Sequence, residues 1–172
     1  MILHHNAIVV EFEEGHVNDD ISFMTSLKSV GVWNMPEGTL TLPSSVVDLD
    51  LQGRSRGATV LGTENLTGLI SYYCGVSFTP CPNLRELGLN CRRISENIPF
   101  AWAQSTALTS MMVTAGCVEP GFQFPPNLVR MELTVESPFF DDATFTPLTP
   151  LESIDLYIVA RTNGLTFRHW CL

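Results

Sequence analysis

Eight apolar hexads of the pattern L-x-x-L-x-L recur along this chain, with Ala, Val, Ile, Met, Phe or Ser replacing Leu at several places. They are Ala7/Val10/Phe12, Leu27/Val30/Val32, Val46/Leu49/Leu51, Leu66/Leu69/Ser71, Leu84/Leu87/Leu89, Leu108/Met111/Val113, Leu128/Met131/Leu133 and Leu151/Ile154/Leu156. Consecutive starts lie 18 to 24 residues apart. A fixed period of this length marks a solenoid. One unit cannot bury its own apolar face, so neighbours stack and share a continuous core. Side chains alternate along an extended segment. Positions 1, 4 and 6 of each hexad therefore point inward, and positions 3, 5 and 7 point outward.

The segments between hexads share a second pattern, in which an aromatic residue or leucine precedes proline. Examples are Leu42-Pro43, Phe78-Thr79-Pro80, Phe124-Pro125 and Phe145-Thr146-Pro147. Proline favours extended or turn backbone and opposes helix interiors. The returns are therefore expected to be irregular or 3₁₀, with one helix candidate at Phe100–Ala107 behind Pro99.

These motifs resemble the leucine-rich-repeat family. Leu66-Thr-Gly-Leu69-Ile-Ser71-Tyr-Tyr-Cys74 is similar to L-x-x-L-x-L-x-x-[N/C], with Ser71 a departure. Leu84 to Leu89, followed by Ile94-Ser95 and Ile98-Pro99, resembles the 24-residue variety. The stretch from Ile98 to Leu108 is similar to repeats of plant receptors and kinetoplastid surface proteins. The likeness covers about residues 7–160 and assigns no subfamily. It implies an α/β-class horseshoe: a curved parallel sheet of about eight short strands, with loops and little helix on the convex side. It also implies that the concave sheet face binds. The asparagine ladder of common repeats is mostly missing, since position 9 is Gly15, Met35, Arg54, Cys74, Arg92, Gly116, Glu136 and Val159. One domain spans 1–172. No linker divides it, and 161–172 is the candidate C-terminal cap.

The outward positions number 24. Seven are acidic (Glu11, Glu13, Asp48, Asp50, Glu86, Glu132, Asp155) and one is basic (Arg130). Much of the formal charge of −9 thus falls on one surface, which steers cationic partners toward it. Among these acids stand Trp33, Ile70, Tyr72, Met112 and Tyr157, the residue types that anchor protein interfaces. The expected site is therefore Trp33, Asp48, Asp50, Ile70, Tyr72, Glu86, Met112, Arg130, Glu132, Asp155 and Tyr157, facing a basic or mixed protein or peptide. Scattered surface hydrophobes are the bland alternative. A one-residue slip would turn the whole set inward.

An acidic chain disfavours nucleic acid and anionic lipid as partners. No apolar run reaches 18 residues, so no membrane insertion is expected. The first ten residues lack a basic region, and Glu11, Glu13 and Glu14 follow, unlike a secretory leader. The five cysteines form no C-x-x-C pair. Reduced thiols and an intracellular setting are expected. Gly53-Arg-Ser55-Arg-Gly57 matches the hydrolase elbow G-x-S-x-G, yet it lacks a following helix pattern and has only His169 downstream. The four histidines have no metal-ligand spacing, and Asp19-Asp20 and Asp141-Asp142 lack the calcium-loop pattern. No enzyme activity, metal or cofactor is expected. Two rivals to the binding module stand. One is an assembly subunit docking through its edges and the apolar tail Leu165–Leu172. The other is a surface recognition domain carrying disulfides and a glycan on the sequon Asn65-Leu66-Thr67.

Overall fold

The computed structural model describes residues 7–11, 17–35, 37–53, 55–72, 74–94, 106–119, 122–137, 148–159 and 166–168. Among these the chain is a parallel β-solenoid without helix. It forms two compact units, 1–84 and 85–172.

The first unit contains two parallel sheets. One holds the hexad strands β1 (Ala7–Glu11), β3 (Ser29–Trp33), β5 (Asp48–Gln52) and β7 (Gly68–Tyr72), paired in that order. The other holds the returns: β2 (Val17–Asp20), β4 (Gly38–Thr41), β6 (Ser55–Leu61) and β8 (Cys74–Phe78). The hexad strands bury Val30, Val32, Leu49, Leu51 and Leu69, and the return strands bury Leu40, Ala58, Val60 and Val76. The expectation of irregular returns is corrected here. Gly38-Thr-Leu-Thr41 and Ala58-Thr-Val-Leu61 each alternate small or polar with apolar residues, the pattern of a half-buried strand. With one apolar stripe each, these returns close the core as a second sheet.

Left-handed residues turn the chain between the sheets. Asn34 has φ 53° and Gly53 has φ 87°, each just after a hexad strand. The Asn34 amide donates to the Gln52 carbonyl at 2.8 Å, and the Asn34 side chain fills the space a Cβ on Gly53 would need. Gly57 (φ 74°) lies at a register shift between Arg56 and Ala58, where β6 bulges.

In the second unit the hexad strands are longer: β9 (Glu86–Ile94), β10 (Ser110–Val118), β11 (Arg130–Ser137) and β12 (Ser153–Val159). They pair in parallel in that order, and β13 (Thr166–Arg168) lies antiparallel on Tyr157–Val159 of β12. No described residue here has positive φ. The alternation instead changes phase within the strand. Burial in β10 alternates through Ala115 and then skips to Val118, with Gly116 at the change. A Cβ on Gly116 would lie 2.6 Å from the Arg92 carbonyl oxygen. The residues before proline also enter the core. Phe122 and Phe124 are buried edge-to-face with centroids 5.1 Å apart.

Six hexads open on the same turn. The amides of Leu27, Val46, Leu66, Leu84, Leu128 and Leu151 donate to the carbonyls of Met24, Pro43, Thr63, Cys81, Pro125 and Leu148, three residues earlier. Pro43 and Pro125 suit the first position of such a turn, where no strand amide is required.

All eight hexads hold a strand, and β10, β11 and β12 align in the expected register. So do β3, β5 and β7. The first hexad is corrected by two residues. Ile8 and Val10, not Val10 and Phe12, stand opposite Val30 and Val32. A two-residue slip preserves the faces, which is why apolar periodicity alone left it open. The expected eight strands become thirteen among the described residues. Of the helix candidate Phe100–Ala107, only Thr106 and Ala107 are described, and they form a turn. The candidate cap is described only at β13.

Candidate binding face

Each unit presents the outward positions of its hexad strands. In the first unit three columns cross the sheet: Ser29, Asp48, Gly68; then Gly31, Asp50, Ile70; then Trp33 and Gln52, with Tyr72 following on β7. Trp33 is 45% exposed and Ile70 39%, high values for large apolar side chains. Asp48 is exposed, and Asp50 and Tyr72 are half-buried. Trp33 and Tyr72 stand on strands with β5 between them, so their backbones are about 10 Å apart. The nine residues in these columns include no lysine or arginine.

Polar contacts order part of this face. Gln52 Nε2 donates to Asp50 Oδ2 at 2.9 Å. Asp50 Oδ1 is shielded from solvent and has no hydrogen-bond partner among the described residues. The Asp48 carboxylate leans over Gly68, where an added Cβ would come within 2.6 Å of Oδ1.

The second unit carries Glu86, Ser110, Arg130, Ser153; then Gly88, Met112, Glu132, Asp155; then Asn90, Thr114, Thr134, Tyr157. Met112 is 50% exposed. Glu86 and Arg130 are exposed, while Glu132, Asp155 and Tyr157 are half-buried. The expected site residues thus fall into two groups: Trp33, Asp48, Asp50, Ile70 and Tyr72 in one unit, and the other six in the second. Glu11 stands opposite Trp33 in register; Glu13 lies outside the described residues.

The sequence reading missed the asparagines that tie turns together. Asn65 Nδ2 donates to the Ser44 carbonyl, Asn83 to Glu64 and Asn127 to Thr106, at 2.8 to 2.9 Å. Each asparagine immediately precedes a hexad leucine and reaches the turn of the preceding repeat. Asparagine, mostly missing from position 9, stands instead at the residue before position 1 of three hexads. The recurring dipeptide Asn-Leu at Asn65, Asn83 and Asn127 was its visible signal. The sequon asparagine Asn65 is a rung of this ladder.

A buried polar cluster lies at the turn entering the fourth hexad. Thr63 is fully buried; its hydroxyl donates to the Thr79 carbonyl at 2.8 Å and lies 2.6 Å from the Thr79 hydroxyl. The Cys81 thiol donates to the same carbonyl at 3.3 Å. Burial pushes the Cys81 thiol above its ordinary range; a Thr63 hydrogen bond opposes this, and Glu64 adds to it. Ser55 of the elbow motif begins strand β6, so no strand-to-helix elbow forms there. No group of three or more His, Cys, Asp or Glu suited to a metal occurs among the described residues.

No protein-family model, curated protein or solved structure matches this chain.

Proposed function

We propose that the chain is a non-catalytic interaction module that binds a protein or peptide of basic or mixed charge on the outward faces of its hexad strands. The observation that carries this reading is the exposure of Trp33, Ile70 and Met112, three large apolar side chains on the outward columns. Large apolar residues exposed among polar ones are the composition of an interface core. The acids around them, Asp48 and Asp50 in one unit and Glu86, Glu132 and Asp155 in the other, favour a cationic partner. A backbone already fixed by its ladders loses little freedom on binding. The kinship to leucine-rich repeats belongs to the same proposal. The common hexad register supports it, and the second sheet of the first unit departs from it.

The test is affinity capture from native extract with the wild type beside Trp33→Ala/Ile70→Ala and Met112→Ala, after thermal unfolding has shown all three folded. A protein retained by the wild type and lost from either variant is the expected result. A protein held equally by all three overturns the face as the site and moves the contact to edges or turns, as an assembly subunit requires.

A further inference from the structure

We propose that the first unit's face takes an arginine side chain from an extended peptide, at a notch over Gly31 between Trp33 and Asp50. This rests on the reading of that face as a binding surface and names the chemistry it selects.

Three independent features meet at this point. Gly31 sits in the middle of β3 with non-positive φ, so its backbone does not require glycine. A glycine inside a strand marks a place where another group approaches the backbone closely. Trp33, two residues on and on the same face, is 45% exposed and walls the notch with an indole. Asp50 is the direct partner of Gly31 in register. One of its oxygens is held by Gln52, and the other is shielded and has no hydrogen-bond partner among the described residues. An unpaired carboxylate oxygen beneath a protein surface is costly, and an arriving donor removes that cost. Because Oδ1 is shielded, binding requires the Asp50 carboxylate to turn, with Gln52 following, until Oδ1 meets the incoming donor.

Arginine fits these three features together better than lysine. Its planar guanidinium stacks on an indole face while its edge offers parallel N–H donors to a carboxylate. A lysine ammonium satisfies the charge but cannot stack flat on Trp33 while donating in pairs to Asp50. Ile70, the other neighbour of Asp50 in the same column, gives the apolar stem of the side chain a surface. At Gly68, the other glycine on this face beside an aspartate, the Asp48 carboxylate already occupies the space over the backbone.

The experiment is selection of short random linear peptides displayed against the full chain, followed by affinity measurement with individual synthetic peptides. Enriched peptides are expected to carry an arginine. Affinity is expected to fall at least about tenfold on replacing that arginine by lysine, and likewise with Asp50→Asn or Gly31→Val in the protein. It is expected to be unchanged with Gln123→Ala, an exposed residue outside the hexad columns. Far-UV circular dichroism checks each variant; should Gly31→Val misfold, Asp50→Asn and the peptide replacement decide. Peptides that depend on Trp33 and Ile70 but lack arginine, or that tolerate Asp50→Asn, overturn the notch and leave the face standing. Enrichment of no peptide dependent on Trp33, Ile70 or Met112 overturns both.

Discussion

Asparagine at the residue before three of the hexads does what the sheets cannot do for the turns. The strand ladders pair the backbone inside each sheet, but the turn carbonyls of Ser44, Glu64 and Thr106 lie outside those strands. The side chains of Asn65, Asn83 and Asn127 supply the donors. Asn127→Ala is expected to cost about 1 kcal/mol, read from urea unfolding, because the bond is solvent-exposed and its carbonyl can recruit water. Cys81 gives a pH signature at the same scale. Its thiol loses a proton less readily folded than unfolded, so the folded state holds more protons in the alkaline range. Its contribution to stability is therefore present below the ordinary thiol value of about 8.5 and declines as pH rises above it. Urea midpoints from pH 7 to 10 are expected to fall more steeply for the wild type than for Cys81→Ala.

At the scale of the element, polar and apolar positions in the core obey different rules. Thr63 and Thr79 satisfy each other across two turns of the first unit. Thr63→Val alone removes the hydroxyl that bonds both the carbonyl and the hydroxyl of Thr79, leaving the Thr79 hydroxyl only the Thr63 amide, and is expected to cost about 1–3 kcal/mol, whereas Thr63→Val/Thr79→Val costs less than the sum of the singles. A double-mutant cycle by thermal unfolding measures this. Leucines of one column also differ. Leu133 of β11 is fully buried, while its partner Leu156 of β12 is half-buried. Leu133→Ala is expected to cost about 2–5 kcal/mol and Leu156→Ala clearly less, since a site near solvent loses less contact and leaves a smaller cavity.

For the whole molecule, a charge of −9 with a pI near 4.7 sets how partners arrive. Association with a cationic partner is expected to slow as salt rises from 0.05 to 0.5 M in stopped-flow measurements, while dissociation changes little. These are concentrations of about tenfold difference, across which the screening length falls from above 10 Å toward 4 Å. Equal rates at both ends would remove charge steering from the account.

The hexads were legible because inward positions must be apolar wherever strands stack, and the period of that demand is written in Leu27, Val46, Leu66 and their successors. Alternation then placed Trp33, Ile70 and Met112 outward without any structure. What alternation could not set was the two-residue register of Ile8 and Val10, since either choice keeps the same residues on one face. Nor could proline counts reveal that Gly38–Thr41 and Ser55–Leu61 pair as a second sheet, because a strand is stabilised by neighbours some twenty residues away. The left-handed corner at Asn34 and Gly53, the orphaned oxygen of Asp50 and the buried Thr63–Thr79 pair likewise arise only between repeats. Sequence by itself determined which side chains face in and which face out, a property of single strands. Tertiary structure alone decided how the returns close the core and which outward groups stay uncovered, because both depend on what the adjacent turn places beside them.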